Sequence, residues 1–291
     1  MRRSYATLVA VCTFWGTIPF LSRRVDLPPA AIVFVRVWVA AAGLGLVVAL
    51  GGRRTEGPRL LSHRPLRSIA VGVLLAVHWT AMFAGYQRAP DDTVVFIIFL
   101  APVGIALVAP RALGERLGPR SLAALLLALA GFVLVAGSSL EPSTTAGIAW
   151  AALSGVTLIA LVVVSKPLAK VYGGLRLTLL EMTVAGVALL PIAVTLDWGR
   201  PQADWGWLVV LGLVHTAVGV TLYLSALARV PATHVGILGY LEPVAVVGLS
   251  WLLLAHRPTF ATVVGGGVIV AAGAIVIRSR NLEEVGVGVP G

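Results

Sequence analysis

Apolar stretches of about 18 or more residues recur along the whole chain, each long enough to cross a ~30 Å hydrocarbon layer as a helix. Of the 291 residues, 58% are hydrophobic and 12% charged, too little polar material to cover a soluble fold of this length. The breaks between stretches carry loop chemistry: Leu27-Pro28-Pro29, Gly51-Gly52-Arg53-Arg54, Gly118-Pro119, Gly173-Gly174 and Asp197-Trp198-Gly199-Arg200-Pro201. They divide the chain into ten expected spans, near 5–22, 29–50, 67–87, 91–110, 120–138, 145–165, 175–196, 205–228, 231–254 and 259–278. The expected fold is an all-α integral membrane protein of ten transmembrane helices. Residues 281–291, short and rich in Gly and Val, read as a disordered cytoplasmic tail.

An internal repeat organises these spans. Arg88, Pro90, Val94, Leu100, Pro102, Val103, Leu113 and Arg116 recur as Arg229, Pro231, Val235, Leu241, Pro243, Val244, Leu254 and Arg257, at a constant offset of 141 without a gap. Five helices per copy is an odd number, so the second copy inserts upside down relative to the first. The chain is therefore expected to divide into repeats at 1–140 and 141–280. Pro102 and Pro243 stand mid-span as expected helix kinks, because proline lacks an N–H and clashes with the preceding turn.

The net charge of +10 does not point to nucleic acid, since the basic residues form no face and no run with interleaved aromatics. They lie in short loops. With the N-terminus inside, 16 fall on the inner side and five on the outer: Arg23, Arg24, Arg88, Arg200 and Arg257. That asymmetry predicts both termini in the cytoplasm. Arg2 and Arg3 precede the first apolar stretch, which reads as an uncleaved helix. The single cysteine, Cys12, excludes an intrachain disulfide. There is no phosphate-binding Gly-x4-Gly-Lys-[Ser/Thr] loop and no Gly-x-Ser-x-Gly, and no cofactor or metal is expected.

A charge in hydrocarbon costs at least about 2.5 kcal/mol, so each polar residue within a span needs a reason. Glu242 falls roughly 16 Å into helix 9, near the bilayer centre, directly before Pro243. It reads as a substrate or coupling residue, or alternatively as an acid bonded to backbone freed at the kink. Its counterpart is Ala101, so the repeat does not demand an acid there. His215 in helix 8 is also central and could form a proton relay with Glu242. His78 in helix 3 reads more simply as an imidazole hydrogen-bonded between helices. Arg36 and Glu181, the lone charges of helices 2 and 7, could pair, or could separately meet a carboxylate and an amine of a substrate. Snorkelling to the outer headgroups is the other reading of Arg36. Trp15 and Tyr240 are candidates for lining a cavity, beside Trp79, Tyr86 and Tyr223. Gly265, Gly266, Gly267, Ala271, Ala272 and Gly273 in helix 10, and Ala124, Ala128 and Gly131 in helix 5, offer small surfaces for close packing.

The repeated Arg-x-Pro entry, Gly114-Glu115-Arg116-Leu117 after helix 4 and Leu241-Glu242-Pro243-Val244 in helix 9 resemble the EamA type of the drug/metabolite transporter superfamily. Trp15-Gly16 and Phe34-Val35-Arg36 are similar to that family too. The resemblance implies a carrier of the bacterial inner membrane with a cavity between its halves, most often an exporter of amino acids or other small metabolites. Its partners would be a small-molecule substrate, the lipid bilayer and, for coupling, protons, with no nucleic acid. This chain departs from a symmetric pattern where Ala255-His256-Arg257 stands opposite Gly114-Glu115-Arg116. The competing reading is a non-transport membrane protein, either a lipid-modifying enzyme or a structural or sensory subunit.

Overall fold

The structure is a computed structural model and describes residues 1–22, 24–25, 27–51, 58–136, 143–196, 198 and 205–285. Arg23, Arg53, Arg54 and Arg200, used above to orient the chain, lie outside the described residues. The regular structure is all helical, with no strand among the described residues. Among the described residues nine helical stretches are long and apolar enough to span a bilayer. We number them α1 (Arg2–Leu21), α2 (Ala30–Leu50), α3 (Pro65–Tyr86), α4 (Asp92–Leu113), α5 (Pro119–Ala136), the stretch Thr145–Ala193, α8 (Trp205–Leu227), α9 (Ala232–Leu254) and α10 (Phe260–Ser279).

The stretch Thr145–Ala193 holds two spans. Its 49 residues would reach roughly 74 Å as one helix, more than twice the hydrocarbon thickness. It breaks at Gly173, whose φ of 72° and ψ of 163° suit a residue without Cβ. We call its arms α6 (145–172) and α7 (174–193), which brings the described spans to ten. Residues 166–172, expected in a loop, are helical instead. Pro167 is tolerated because the following Leu, Ala and Lys are strong helix formers, and the break waits for the glycine.

The tail also begins later than expected. The last helix continues to Val285, through Leu282, Glu283 and Glu284, which favour helix. Residues 286–291 lie outside the described residues.

Three spans are interrupted within their length. α1 turns at Gly16–Thr17, α4 at Phe99–Leu100 and α9 at Tyr240. The last two breaks precede Pro102 and Pro243 by a few residues. Each proline deprives the carbonyl four residues earlier of its helical partner, so the ladder fails just upstream and restarts with the proline in its first turn.

Packing follows the distribution of small residues. α3 lies along α6 and α7, and α5 lies against α10. At the α5–α10 crossing a Cβ on Gly131 would stand 2.7 Å from the Gly265 carbonyl oxygen, and one on Gly265 would stand 2.5 Å from that of Gly131. Two backbones touch there, with Ala124, Ala128 and Ala272 fully buried alongside. Without water to drive association, such close contact is what holds helices together in lipid. The large hydrophobic residues left exposed, among them Leu126, Val156, Leu252 and Phe260, match a surface facing acyl chains.

Candidate functional site

The central polar group is organised by an irregular turn in α8. Leu211–Val218 is a π-helix, and His215 and Thr216 lie within it. A π-turn changes the backbone partners by one residue and is typical of functional sites. Thr216 Oγ1 donates to the carbonyl of Leu211, five residues back. The carbonyl of His215 accepts from Trp15 Nε1 at 3.0 Å.

A chain of contacts leaves this turn in two directions. His215 Nε2 is 2.8 Å from Thr17 Oγ1, at the break in α1, and its ring stacks on Phe14 at 4.3 Å between centroids. Its Nδ1 is buried, on the side of the Val210 backbone. Next to it, Thr216 Oγ1 accepts from Arg36 Nε at 3.2 Å. The Arg36 guanidinium lies 5.0 Å from the centre of the Trp79 ring, within cation–π range. Four helices, α1, α2, α3 and α8, thus meet through one polar chain drawn from both repeats.

Arg36 is 6% exposed and therefore buried in protein. No carboxylate is within ion-pair distance of it among the described residues. Glu181, also buried, accepts instead from Ser165 Oγ at 2.7 Å, across the Gly173 break. The two lone charges are held by separate partners.

Glu242 occupies the first turn of the second half of α9, where a helix dipole favours negative charge. Its side chain is half-buried, and nothing bonds its carboxyl among the described residues. Gly16 lets α1 approach this turn: a Cβ there would be 2.6 Å from Ala245 Cβ and 3.1 Å from the Glu242 carbonyl oxygen. Cys12 lies within electrostatic range of Glu242. Tyr223 lies within range of both Glu181 and Glu242 and packs on Trp15 at 5.3 Å.

Two candidates stand apart from this group. His78 Nδ1 is 3.0 Å from the Ser154 carbonyl and 2.9 Å from Ser154 Oγ, tying α3 to α6. Because a carbonyl only accepts, Nδ1 carries the proton in the first contact. Tyr240 is fully buried in an aromatic stack with Phe132 and Phe99.

A second polar cluster was not anticipated from the residues. Glu115, in the α4–α5 loop, forms an ion pair with Lys166 and accepts from the backbone N–H of Ala232 at 2.7 Å. Lys166 Nζ also donates to the carbonyl of Val230. The Glu115 carboxylate therefore caps the start of α9, and Lys166 fills the turn before it. Nearby, His234 holds Tyr5 through Nδ1 at 2.6 Å and Ser121 through Nε2 at 2.7 Å. An imidazole in a neutral tautomer donates on one side and accepts on the other. Together these contacts bind α1, α5, α6 and α9 at one end of the bundle. The available signals were the acid of the Gly114-Glu115-Arg116 motif and a histidine three residues past Pro231.

Among the described residues no group of three or more His, Cys, Asp or Glu is arranged to hold a metal ion. The architecture is that of an integral helical membrane protein with a polar centre shared between two repeats, the form of a solute carrier. The EamA-like transporter family model matches residues 2–137 and again 145–278, so the chain belongs to that family of transporters. It is 24% identical over 283 residues to an uncharacterized transporter of Bacillus subtilis, covering 94% of this chain and 89% of that one. It is 27% identical over 287 residues to a probable terminal-alkyne amino-acid exporter of Streptantibioticus cattleyicolor, covering 96% and 94%. A solved crystal structure superposes with a TM-score of 0.80 at 21% identity, covering 94% of this chain and 97% of that one, a likeness of fold.

Proposed function

We propose that this protein is a secondary carrier that exports amino acids or closely related small metabolites across the bacterial cytoplasmic membrane by alternating access. Both termini lie in the cytoplasm, and the repeats 1–140 and 141–280 rock against each other. The observation that carries this reading is the half-buried Glu242 carboxyl, which nothing bonds among the described residues, at a helix break that α1 approaches through Gly16. An acid held there without a protein partner is placed to meet a substrate amine or a proton. Arg36, held on Thr216 in the polar chain of α8, supplies the complementary charge for a carboxylate. The similarity to an amino-acid exporter supports this substrate class and the outward direction. His215, bonded to Thr17 in the same polar chain, is the second group of the proton path.

The two polar clusters have different tasks in this reading. The Glu115–Lys166 pair and the Tyr5–His234–Ser121 bonds close one end of the path. Residues Ala232 to Leu238 of α9, next to these contacts, are all buried. On this reading the protein is held in a state shut at the Lys166 end.

The test is flux in proteoliposomes with a mixed panel of amino acids and small metabolites read by mass spectrometry, with and without a proton gradient. Enrichment of amino acids over empty liposomes, larger with the gradient, is the expected result. Absence of enrichment from folded, inserted protein, or enrichment unchanged in Glu242→Gln, would overturn the assignment.

A further inference from the structure

Glu181 lies deep in the bundle and is 2% exposed. Among the described residues its carboxyl accepts from Ser165 Oγ at 2.7 Å and pairs with no cation. Ser165 and Glu181 stand equally far before and after Gly173, roughly 12 Å along either arm, so their bond fastens α6 to α7. On another side α3 presses in: a Cβ on Gly72 would be 3.0 Å from the Glu181 carbonyl oxygen and 2.4 Å from Val184 Cβ. Ser165 immediately precedes Lys166, whose ammonium holds Glu115 and the Val230 carbonyl. The buried acid and the ionic clasp are therefore tied to one turn of α6.

The ionisable groups of the surrounding helices are engaged elsewhere. Arg36 of α2 is held on Thr216 and Trp79, and His78 of α3 on Ser154. His215 of α8 is bonded to Thr17, and Lys166 of α6 to Glu115. Tyr223 of α8, within electrostatic range of Glu181, brings a phenol and no cation. Lys170 and Arg176 flank the Gly173 corner, and Arg67 lies in the first turn of α3. A carboxylate needs compensation that one hydroxyl does not give, and an unpaired ion deep in an apolar bundle is far costlier than the neutral acid. Building on the carrier assignment, we propose that Glu181 is a proton-binding site behind the ionic clasp, and that the Lys166 end shuts only over its protonated carboxyl. When that end opens, the proton passes from the Glu181 carboxyl to water, and the carboxylate that remains is solvated. A proton must return to the carboxyl before the turn holding Ser165 and Lys166 is sealed again. Glu242 is then left to the solute amine.

Infrared spectroscopy of the full chain in proteoliposomes reads buried carboxylic acids by their C=O stretching band. Maleimide labelling of Cys12 from the Lys166 side reads opening. Neither needs a transported solute, so both bear on Glu181 even where the carrier assignment fails its flux test. The wild type is expected to show the band of a protonated acid at neutral pH, and Glu181→Gln to lack it. Raising the pH from about 6 to about 9 should speed Cys12 labelling roughly tenfold more in the wild type than in Glu181→Gln, whose amide cannot ionise. Comparing the two proteins cancels the thiol's own response to pH. Ser165→Ala keeps the acid and removes its bonded hydroxyl, so the band should move to higher frequency. A band that survives in Glu181→Gln, or the same pH response in both proteins, overturns the proposal. Should Glu181→Gln fail to fold, a band left unmoved in Ser165→Ala overturns it instead.

Discussion

The Tyr240 hydroxyl donates at 2.8 Å to the backbone carbonyl of Phe99, the residue 141 positions earlier and hence its own counterpart in the first repeat. The bond joins the two helix breaks, one in α4 and one in α9. Phe99 can offer its carbonyl because the helical ladder is already interrupted there by the approach of Pro102. The repeats thus clasp each other at equivalent points, and their aromatic rings close around Phe132.

Removing that clasp is a measurable loss. Tyr240→Phe keeps the ring and deletes one buried hydrogen bond, which contributes about 1 kcal/mol. Thermal unfolding in detergent should show a modest fall in Tm, while Tyr240→Ala, which also empties the stack, should fall much further. An unchanged Tm in Tyr240→Phe would show that the bond contributes nothing.

Glu242→Gln preserves size and removes the charge. Flux of the transported solute is expected to drop by about tenfold or more, as when a group needed at the site is lost. Gel filtration and Tm should stay near wild type, since no protein group bonds the carboxyl among the described residues. Wild-type flux would exclude Glu242 from the path.

The Glu115–Lys166 pair offers a different experiment. Glu115→Ala strands a cation that is only 4% exposed, a loss on the order of 3–5 kcal/mol. Glu115→Gln with Lys166→Met removes both charges and should recover much of it. Cys12 is buried and is the only cysteine, so it reports opening directly. Maleimide labelling from the Lys166 side should be slow in the wild type and faster in the double variant. Equal rates would mean that the pair does not close that end.

Gly131→Val places side-chain carbon within 2.7 Å of the Gly265 backbone, which has no side chain to swing aside. Separating α5 from α10 should cost several degrees of Tm or abolish folding, whereas Gly267→Ala, in open space, should be silent. Similar Tm values for both would remove the crossing from the account of stability.

Much of the scaffold is legible in the residues because hydropathy, glycine and proline act locally. The 141-residue offset, the breaks near Pro102 and Pro243 and the reversal at Gly173 all have causes within a few residues of themselves. The site is less legible, because its contacts depend on which helices meet. Depth placed Arg36 and Glu181 roughly 10 Å apart with their pairing open. Their actual partners, Thr216, Trp79 and Ser165, are set by helix rotation. The π-turn around His215 is a tertiary outcome with no local punctuation. The contacts of Glu115 with Lys166 and Ala232 join three loop-proximal segments far apart in sequence, which periodicity cannot connect.

Glu115 has His256 as its counterpart, and His256 is exposed. Two identical inverted halves would make the inward- and outward-facing forms mirror images of equal free energy. Among the described residues this chain has an ionic clasp at one door and none at the matching position of the other. For the carrier we propose, the see-saw is weighted: it rests with the Glu115 door shut, and a cargo must bring enough binding free energy to lift it.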